Sequence, residues 1–279
     1  MPVAAALLAP LLPAPFGPPL DSFGLFLPPA IGLAAAVFLA ALFAARPGAA
    51  LVALALLLGG GLALLPVLGT RPAPDTAAGL RLLQHNLNVA NPAPALADRL
   101  ADADVATLQE LPRALAPDFR ALRRDGWTIR ACGLVRPTGT AVLSRLPVLG
   151  SGCLAGATWM RVRAPGGDVT VVSVHLFWPW PKRQAAQLAL LLPELAALEG
   201  PVVVGGDFNQ SPWSAAVSAV AKATGTRVLP GLRLSFPIGP AALPIDHVLA
   251  PPGWGAAAAL GPRAGSDHRA VRAILSSPG

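Results

Sequence analysis

The sequence predicts an α+β domain that follows two membrane-spanning helices. Charged side chains are almost missing from residues 1–70, which contain only Asp21 and Arg46. After residue 80, short apolar runs between turn signals outnumber helical patterns, and helices do not alternate with them one to one. This order favours sheets packed together with helices outside over a doubly wound parallel sheet.

The composition excludes a disordered chain and an ordinary, wholly soluble protein. Of the 279 residues, 54% are hydrophobic and only 13% are charged, whereas soluble domains carry about 25% charged residues. The net charge of +7 lies entirely after residue 70, because Asp21 and Arg46 cancel. A basic domain is compatible with anionic partners such as phosphates or lipid headgroups, although charge alone identifies neither.

Two uncharged stretches near the start, residues 22–45 and 47–70, are predicted to form a membrane hairpin. Each is long enough to cross the hydrocarbon core of a bilayer, which takes about 20 apolar residues. We predict transmembrane helices at about 23–45 and 48–69, with a tight turn at Arg46. A buried hairpin of a soluble protein is the alternative, and the lack of a polar face in either stretch disfavours it.

Three segments follow from this division of the chain. They are a membrane anchor (1–70), a stiff proline-rich linker (71–79) and a globular domain (80–279). Arg46, between the two helices, favours a cytoplasmic turn and therefore a globular domain outside the cytoplasm. Arg71 and Arg81 favour the opposite orientation, so the side of the membrane rests on few charges.

The two cysteines, Cys132 and Cys153, are too few for a disulfide framework or a cysteine zinc site. We interpret them as two small buried residues, with a single bridge between them as the alternative. A bridge would support a location outside the cytoplasm, because disulfides persist in oxidising compartments.

Nine strands and four helices are predicted in the globular domain. The strands are apolar runs bounded by turn residues, at 80–86, 105–108, 128–132, 140–144, 158–162, 169–175, 202–205, 245–249 and 270–275. The helices are predicted at 93–103, 114–124, 182–198 and 213–223.

Polar residues of the kinds used in catalysis follow several of these strands, where a rigid scaffold brings distant segments together. They form six clusters, which contain all four histidines of the chain: Gln84 to Asn88, Gln109-Glu110, His175, Gly206 to Asn209, Asp246-His247 and Ser266 to His268. A single histidine is more often structural. Four histidines within one such set indicate a functional site.

A catalytic acid is predicted at the end of the strand 202–205. Two glycines there allow a tight turn, and Asp207 and Asn209 follow. The alternative is an Asx turn that caps the next helix. Glu110 follows another buried strand and suits a hard cation, although alone it is more often a surface charge. His268 follows an acid and suits a general base.

In this order and spacing, the clusters resemble the endonuclease/exonuclease/phosphatase superfamily, which includes DNase I, AP endonucleases, neutral sphingomyelinases and inositol-polyphosphate 5-phosphatases. The resemblance covers about residues 80–275. Gly-Asp-Phe-Asn at 206–209 and Ser-Asp-His at 266–268 are specific together, though each is weak alone. The hairpin and the run at 179–184 are most similar to the bacterial YafD-like proteins.

The resemblance implies a fold and a cofactor. The fold is a four-layer α/β sandwich of the DNase I type, with two packed mixed sheets flanked by helices and preceded by the transmembrane hairpin. The cofactor is Mg²⁺ or Mn²⁺, with Glu110 as its main ligand, Asn86 beside it and Asp267 as a further acid. A hard cation with oxygen ligands offsets the negative charge of a phosphodiester and polarises its phosphorus.

The resemblance also implies five catalytic side chains. Asp207 orients or activates the attacking water, Asn209 contacts the phosphate, and His175 donates to a phosphoryl oxygen or to the leaving group. His268 acts as base or as a phosphate-stabilising group. Asp246 holds the imidazole of His268 in the required tautomer.

Two departures from the family pattern bear on the substrate. Some branches carry Asp where this chain has Asn88, which weakens any second metal contact there. AP endonuclease-like branches use Tyr at the position of His175, and this chain has no Tyr. The histidine is more similar to DNase I and sphingomyelinases and argues against abasic-site repair.

The leading hypothesis is a membrane-anchored, metal-dependent phosphoesterase that hydrolyses phosphodiester bonds by metal-assisted water attack. Its expected partners are the lipid bilayer and a phosphoester substrate, either nucleic acid or phospholipid, with no obligate protein partner. The expected location is the bacterial inner membrane, with the catalytic domain outside the cytoplasm. A noncatalytic membrane scaffold with a decayed phosphoesterase fold is the alternative, and the intact set of acids and histidines argues against it.

Overall fold

A computed structural model of the chain describes residues 18–91, 96–133, 139–180 and 183–278. Its first part is a helical hairpin. A short helix, α1 (Pro18–Phe23), and one 3₁₀ turn lead into α2 (Leu27–Phe43) and α3 (Pro47–Leu68). Within the described residues, two stretches are long and apolar enough to cross a membrane, Asp21–Phe43 and Pro47–Leu65. They overlap the predicted spans at 23–45 and 48–69.

Fourteen strands follow the hairpin within the described residues. In chain order they are β1 (Leu80–Asn86), β2 (Val105–Gln109), β3 (Thr128–Cys132), β4 (Thr140–Ser144), β5 (Val148–Leu154), β6 (Ala157–Ala164), β7 (Gly167–His175), β8 (Val202–Asp207), β9 (Arg227–Val228), β10 (Phe236–Ile238), β11 (Ala241–Leu243), β12 (Asp246–Ala250), β13 (Gly255–Leu260) and β14 (Val271–Ser276).

The strands form two mixed six-stranded sheets and one small hairpin. The first sheet has the order β13-β14-β1-β2-β4-β3, the second has the order β5-β6-β7-β8-β12-β9, and β10 pairs with β11. Each large sheet contains one parallel pair near its centre, β1 with β2 and β7 with β8. The other strand pairs are antiparallel.

Four helices of the domain cover the outer faces of the two sheets. Helices α4 (Leu96–Leu100) and α5 (Ala116–Arg124) pack on the first sheet around Leu83, Leu108 and Leu143. Helices α6 (Gln184–Ala196) and α7 (Ala215–Thr224) pack on the second. Between the sheets lies a third apolar core. The predicted four-layer sandwich is therefore confirmed.

Each of the nine predicted strands is present, although several boundaries shift by a few residues. The strands that prediction missed are short or lie at sheet edges: β5, β9, β10, β11 and β13. Strand β13 is rich in alanine, which is a good helix former and a poor strand former, so its sequence gives no strand signal. The helix predicted at 93–103 is helical only over Leu96–Leu100. Residues 93–95 and Lys182 lie outside the described residues.

The hairpin contacts the globular domain through a loop that follows β8. Trp213 Nε1 donates to the Gly24 carbonyl at 2.6 Å, and its ring packs among Leu27 and Ala63 of the hairpin. Asp21 accepts hydrogen bonds from Gln210 Nε2 and from the Ala215 amide, each at 3.2 Å. The loop after the strand that carries the predicted catalytic acid therefore also contacts the hairpin.

A disulfide joins Cys132 of β3 to Cys153 of β5. Strand β3 is the edge of the first sheet and β5 is the edge of the second. The bridge therefore connects the two sheets at one side of the sandwich. Our preferred interpretation of two unbridged buried cysteines is wrong. The sequence does not show that the two edge strands lie side by side, because they belong to different sheets.

Candidate active site

The predicted site residues converge because of the two parallel strand pairs. In each pair the carboxyl ends lie together, so Asn86 is opposite Gln109 and His175 is opposite Asp207. Strand β12 runs antiparallel to β8, which brings Asp246 opposite Asp207. His268 precedes β14, the antiparallel neighbour of β1. One edge of the sandwich thus collects residues from both sheets.

Glu110, His175 and Asp207 form the first cluster of this site. His175 Nε2 lies 3.8 Å from Glu110 Oε1 and 3.7 Å from Asp207 Oδ2. Each of the three residues offers a ligand atom, and these atoms lie within 4.8 Å of one another. Glu110 has a φ of 49°, so the chain turns sharply after β2 and presents its carboxylate at the strand end.

This donor set fits the divalent cation that the family resemblance implies. Two carboxylates and one imidazole converge, and the carboxylates are the kind of oxygen ligand that Mg²⁺ and Mn²⁺ prefer. Asp207 is buried, whereas the Glu110 side chain is about one quarter exposed, which leaves the cluster open to solvent on the Glu110 side. The residues therefore suit a hard cation in an accessible cleft.

Asn86 holds the two carboxylates of this cluster in place. Its Nδ2 donates to Asp207 Oδ2 at 2.9 Å and to Glu110 Oε1 at 3.2 Å. Its Oδ1 accepts from the Asn88 amide at 3.0 Å, an Asx turn that fixes which end of the side-chain amide faces the carboxylates. In this orientation Asn86 positions the acids, and its role as a metal ligand stays a prediction.

His268 and Asp246 form the second cluster, again with Asp207. His268 Nδ1 lies 2.7 Å from Asp246 Oδ2, and His268 Nε2 lies 3.7 Å from Asp207 Oδ2. The other Asp246 oxygen accepts from Gln84 Nε2 at 3.0 Å, so the carboxylate is held at both oxygens. The predicted pairing of His268 with Asp246 is present in the structure.

Electrostatics in this second cluster distinguish the groups. Burial alone would lower the pKa of His268, but the carboxylates of Asp246 and Asp207 raise it to about 10. Burial raises the pKa of Asp207 to about 6, against the opposing effect of His268. Burial also raises the pKa of Asp246, but the charge of His268 and the hydrogen bond with it outweigh burial. The pKa of Asp246 is therefore lowered. His268 is therefore an imidazolium at neutral pH.

The structure places Asn209 and Asp267 beside the clusters but gives neither a direct catalytic contact. The Asn209 amide donates to Asp207 Oδ1 at 2.8 Å, and Asn209 Nδ2 donates to the Leu176 carbonyl at 2.7 Å. Asp267 is half-buried, accepts from Ser266 Oγ at 3.4 Å and belongs to neither cluster. Phosphate contact by Asn209 and metal binding by Asp267 stay predictions.

Below the site lies a chain of hydrogen bonds between buried polar side chains, called here the polar ladder. Two of its residues belong to the predicted clusters, but no role was predicted for them. Gln84 Nε2 donates to Gln109 Oε1 at 2.9 Å, and Gln109 Nε2 donates to Ser173 Oγ at 2.9 Å. The ladder joins β1, β2 and β7 and so ties the two sheets together beneath the carboxylates. Its only signal in the sequence is polar residues at buried positions of apolar strands.

The position of Phe236 beside the site was also not predicted from the sequence. Its ring centroid lies 4.7 Å from that of His268 and 6.5 Å from that of Trp178. Phe236 belongs to β10, a three-residue strand whose sequence gives no strand signal. The pair forms an apolar wall beside His268.

Two of the four histidines are structural. His85 lies between Arg99 Nη1 and the His268 carbonyl, each 3.2 Å from one of its ring nitrogens. His247 Nε2 lies 2.8 Å from the Gln210 carbonyl. Burial lowers the pKa of each to about 4, so both rings are neutral. They support the backbone at the site rather than line it.

A family profile decides the assignment. The profile described as Endonuclease/Exonuclease/phosphatase family matches residues 83–268, about two thirds of the chain. The chain belongs to the Endonuclease/Exonuclease/phosphatase family. Membership identifies it as a homologue of hydrolases that act on phosphoester bonds, and the match spans both clusters of the site. A search of curated proteins found no match.

Solved structures show the same fold. An endonuclease/exonuclease/phosphatase from Beutenbergia cavernae is 21% identical with a TM-score of 0.57, over 72% of each chain. A family member from Bacteroides vulgatus is 18% identical with a TM-score of 0.58, over 72% of this chain and 99% of that one. A 3′ phosphatase from Neisseria bound to product DNA hairpin is 19% identical with a TM-score of 0.56, over 71% and 100%.

Proposed function

We propose that this chain is a membrane-anchored, divalent-metal-dependent phosphodiesterase. The observation that carries the proposal is that Asp207 belongs to both clusters, one with Glu110 and His175 and one with Asp246 and His268. A cation-binding group and a charged imidazole thus face the same carboxylate. That arrangement suits an attack of water on an anionic phosphoester held between them.

The first cluster supplies the cation site. Glu110 and Asp207 would hold Mg²⁺ or Mn²⁺, with His175 beside them. When bound, the cation offsets phosphate charge and polarises the phosphorus. Asn86 contributes by fixing both carboxylates through its Nδ2, which keeps their oxygens at a constant separation.

The remaining side chains handle protons. Asp207, which faces both clusters, would orient or activate the attacking water. His268 retains its proton at this pH, so its Nε2–H donates to a phosphoryl oxygen. Of the two roles that the family resemblance implies for His268, this state favours stabilisation of the phosphate. His175 donates to a second phosphoryl oxygen or to the leaving group.

The hairpin supports membrane anchoring. Its large apolar side chains point away from the protein, with only 28% and 17% of the two candidate spans buried. The alternative of a soluble protein's core helices requires mostly buried spans, because burial of apolar surface is what stabilises them. Exposed spans of this length instead match the hydrocarbon thickness of a bilayer.

The substrate classes that remain in view are nucleic acid and phospholipid. Trp180 is 66% exposed. An exposed Trp is suited to stacking with a nucleic-acid base or to insertion at the membrane–water interface. The Neisseria structure carries a DNA hairpin, which supports testing DNA first. The apolar helical hairpin supports phospholipid, so both substrate classes are tested side by side.

Hydrolysis of bis-p-nitrophenyl phosphate tests the proposal. The full chain in detergent should be active with Mg²⁺ or Mn²⁺, and Glu110→Ala or His268→Ala should each lower kcat by about 10²-fold or more. Asp125→Ala, at an exposed turn after α5, is the matched control and should keep full activity. Equal activity in all four proteins would refute the assignment, and no activity with either metal would favour the scaffold alternative.

Natural substrates are then compared on the same preparations. Nicking of plasmid DNA that requires Glu110 would identify a nuclease. Release of headgroups from mixed phospholipid vesicles that requires Glu110 would identify a lipid phosphodiesterase.

A further inference from the structure

A cavity lies away from the candidate active site, between the hairpin and the globular domain. It encloses about 970 Å³ and is bounded by the C-terminal half of α3 on one side and by α7 and β9 on the other. Its wall contains none of the eight predicted site residues. Its contents therefore have no direct part in the chemistry proposed above.

The charge of this cavity is one-sided. Arg71, Lys222 and Arg227 line it, and its described lining residues include no Asp or Glu. Within the described parts of the chain, none of these three cations has a carboxylate within 4.0 Å. Three positive groups around one space favour an anion in it.

Hydrogen bonds hold the Arg71 guanidinium in place beside the positive charge of Arg227. Its Nη1 donates to the Pro251 carbonyl at 2.7 Å, and its Nη2 donates to the carbonyls of Arg227 and Ala250 at 3.0 Å. Burial and the neighbouring charge of Arg227 lower the pKa of Arg71. The repulsion between these two guanidinium groups is a cost that a bound anion would relieve.

The opposite wall of the cavity is apolar. Leu62 and Leu65 of α3 contribute to it and are 61% and 57% exposed. Leu62 lies in the second candidate membrane span, which ends at Leu65. Arg71 follows the C-terminal end of α3 in the chain. Lys222 and Arg227 line the cavity from α7 and β9, on its other side. A cavity that is apolar along a span and cationic at its end has the polarity of the membrane–water interface.

We propose that this cavity binds one anionic phospholipid, with its phosphate against Lys222, Arg227 and Arg71 and its acyl chains along α3. The proposal rests on the membrane-anchored function above, since the lipid is available only if α3 spans the bilayer. A soluble phosphate would satisfy the cations but would leave the apolar wall in water. A lipid satisfies both walls, and it would hold the anchor and the domain together.

Native mass spectrometry of the delipidated full chain in detergent tests the proposal. Phosphatidylglycerol should bind more tightly than phosphatidylcholine, which carries no net charge. The double variant Lys222→Gln/Arg227→Gln should weaken phosphatidylglycerol binding roughly 25-fold, because each basic group near an anionic lipid contributes roughly fivefold. The matched control is Arg120→Gln/Arg124→Gln, which removes two exposed charges from α5 and should change nothing.

Three outcomes would overturn the lipid site. They are equal affinity for the two lipids, unchanged affinity in the double variant, and displacement of the lipid by soluble glycerol phosphate at equal concentration. If the double variant does not fold, Lys222→Gln alone should weaken binding roughly fivefold. Carbonate extraction of cell membranes separates this site from the anchor. A chain that resists extraction but shows no lipid preference keeps its anchor and loses the lipid site, whereas an extracted chain loses both.

Discussion

Burial decides the pKa of His247 but not that of His268, because the effect of nearby carboxylates outweighs burial only at His268. Asp246 and Asp207 together hold His268 in its charged form. His247 is adjacent to Asp246 in the chain, yet its ring turns to the Gln210 carbonyl and stays neutral. At the residue scale, the direction in which a ring points therefore separates the charged histidine of the candidate site from a neutral one.

Replacing Asp246 by Asn should disable His268 without altering the shape of the site. The amide retains the size of the carboxylate but loses its charge, so the pKa of His268 should fall. We expect kcat to decrease about 100-fold or more, by analogy with other carboxylate–imidazole pairs. The pH–activity profile and the NMR titration of His268 measure the two effects. Asp168→Asn, which removes a surface ion pair with Arg161, is the control, and an equal loss there would contradict the argument.

Acid should destabilise the chain through its neutral histidines. The pKa of His247 is about 4 in the folded protein and about 6.5 when unfolded, so the unfolded state binds more protons between these values. The contribution of His247 to the free energy of unfolding is therefore fully present above about pH 6.5. It is lost as the pH falls toward 4. Between pH 7.5 and 5, His247 alone should lower the free energy of unfolding by about 2 kcal/mol. In urea unfolding, His247→Gln should lose less stability over this range, and an identical pH dependence in both proteins would contradict this.

At the scale of elements, the site depends on how closely β8 packs against its neighbours. A Cβ added at Gly206 would lie 2.2 Å from the Val174 carbonyl of β7, and one at Gly205 would lie 2.3 Å from Thr107 Oγ1. Real Cβ atoms do not approach that closely. Both glycines are therefore required by close packing, which brings Asp207 beside His175.

Gly206→Ala should push β8 away from β7. Overpacking of this kind costs about 1–3 kcal/mol, and here the obstacle is backbone that cannot rotate away. We expect a lower urea midpoint together with reduced activity, since His175 and Asp207 would separate. Gly150→Ala is the control, because its Cβ would meet Trp159 at an ordinary 3.5 Å. If both variants unfold at the same urea concentration, close strand packing is not the cause.

Much of this arrangement could be predicted from the sequence, for a physical reason. Buried strands are apolar runs, so their ends are visible, and polar residues at those ends stand out. Asp207, Glu110 and His268 are predictable in this way. Phe236 is not, because its contact with His268 depends on a short hairpin that carries no periodicity. The Asn86 amide is likewise recognisable as a site residue, but only coordinates show which of its atoms faces the acids.

At the scale of the whole molecule, the hairpin region is hydrogen-bonded to the domain at several points. Asp21 caps α7 through the Ala215 amide, Trp213 donates to Gly24, and the Gly231 amide donates to the Val67 carbonyl at 2.8 Å. These contacts join α1, the 3₁₀ turn after it and the end of α3 to the loop after β8, the start of α7 and the loop after β9. The active site therefore has a defined orientation relative to the hairpin.

Reduction of the Cys132–Cys153 bridge should loosen the sandwich at one side. The bridge closes a loop with a sequence separation of 21 residues, and a loop of that size corresponds to about 3 kcal/mol of unfolding free energy. Dithiothreitol should lower the melting temperature of the wild type. Cys132→Ser/Cys153→Ser should melt at the reduced wild-type temperature with or without dithiothreitol. A wild-type melting temperature that dithiothreitol does not change would contradict the prediction.

The same bridge predicts the side of the membrane on which the domain lies. A disulfide that supports the fold forms in an oxidising compartment, which for a bacterial inner-membrane protein lies outside the cytoplasm. Arg46 then lies in a cytoplasmic turn, as the positive-inside rule favours. When cells are lysed directly into denaturant that contains maleimide-polyethylene glycol, the cysteines should stay unlabelled unless a reductant is added first. Alkaline phosphatase fused after residue 279 should be active, and green fluorescent protein at that position should be dark. Labelling without reductant together with a fluorescent fusion would place the domain in the cytoplasm, where the bridge would not persist.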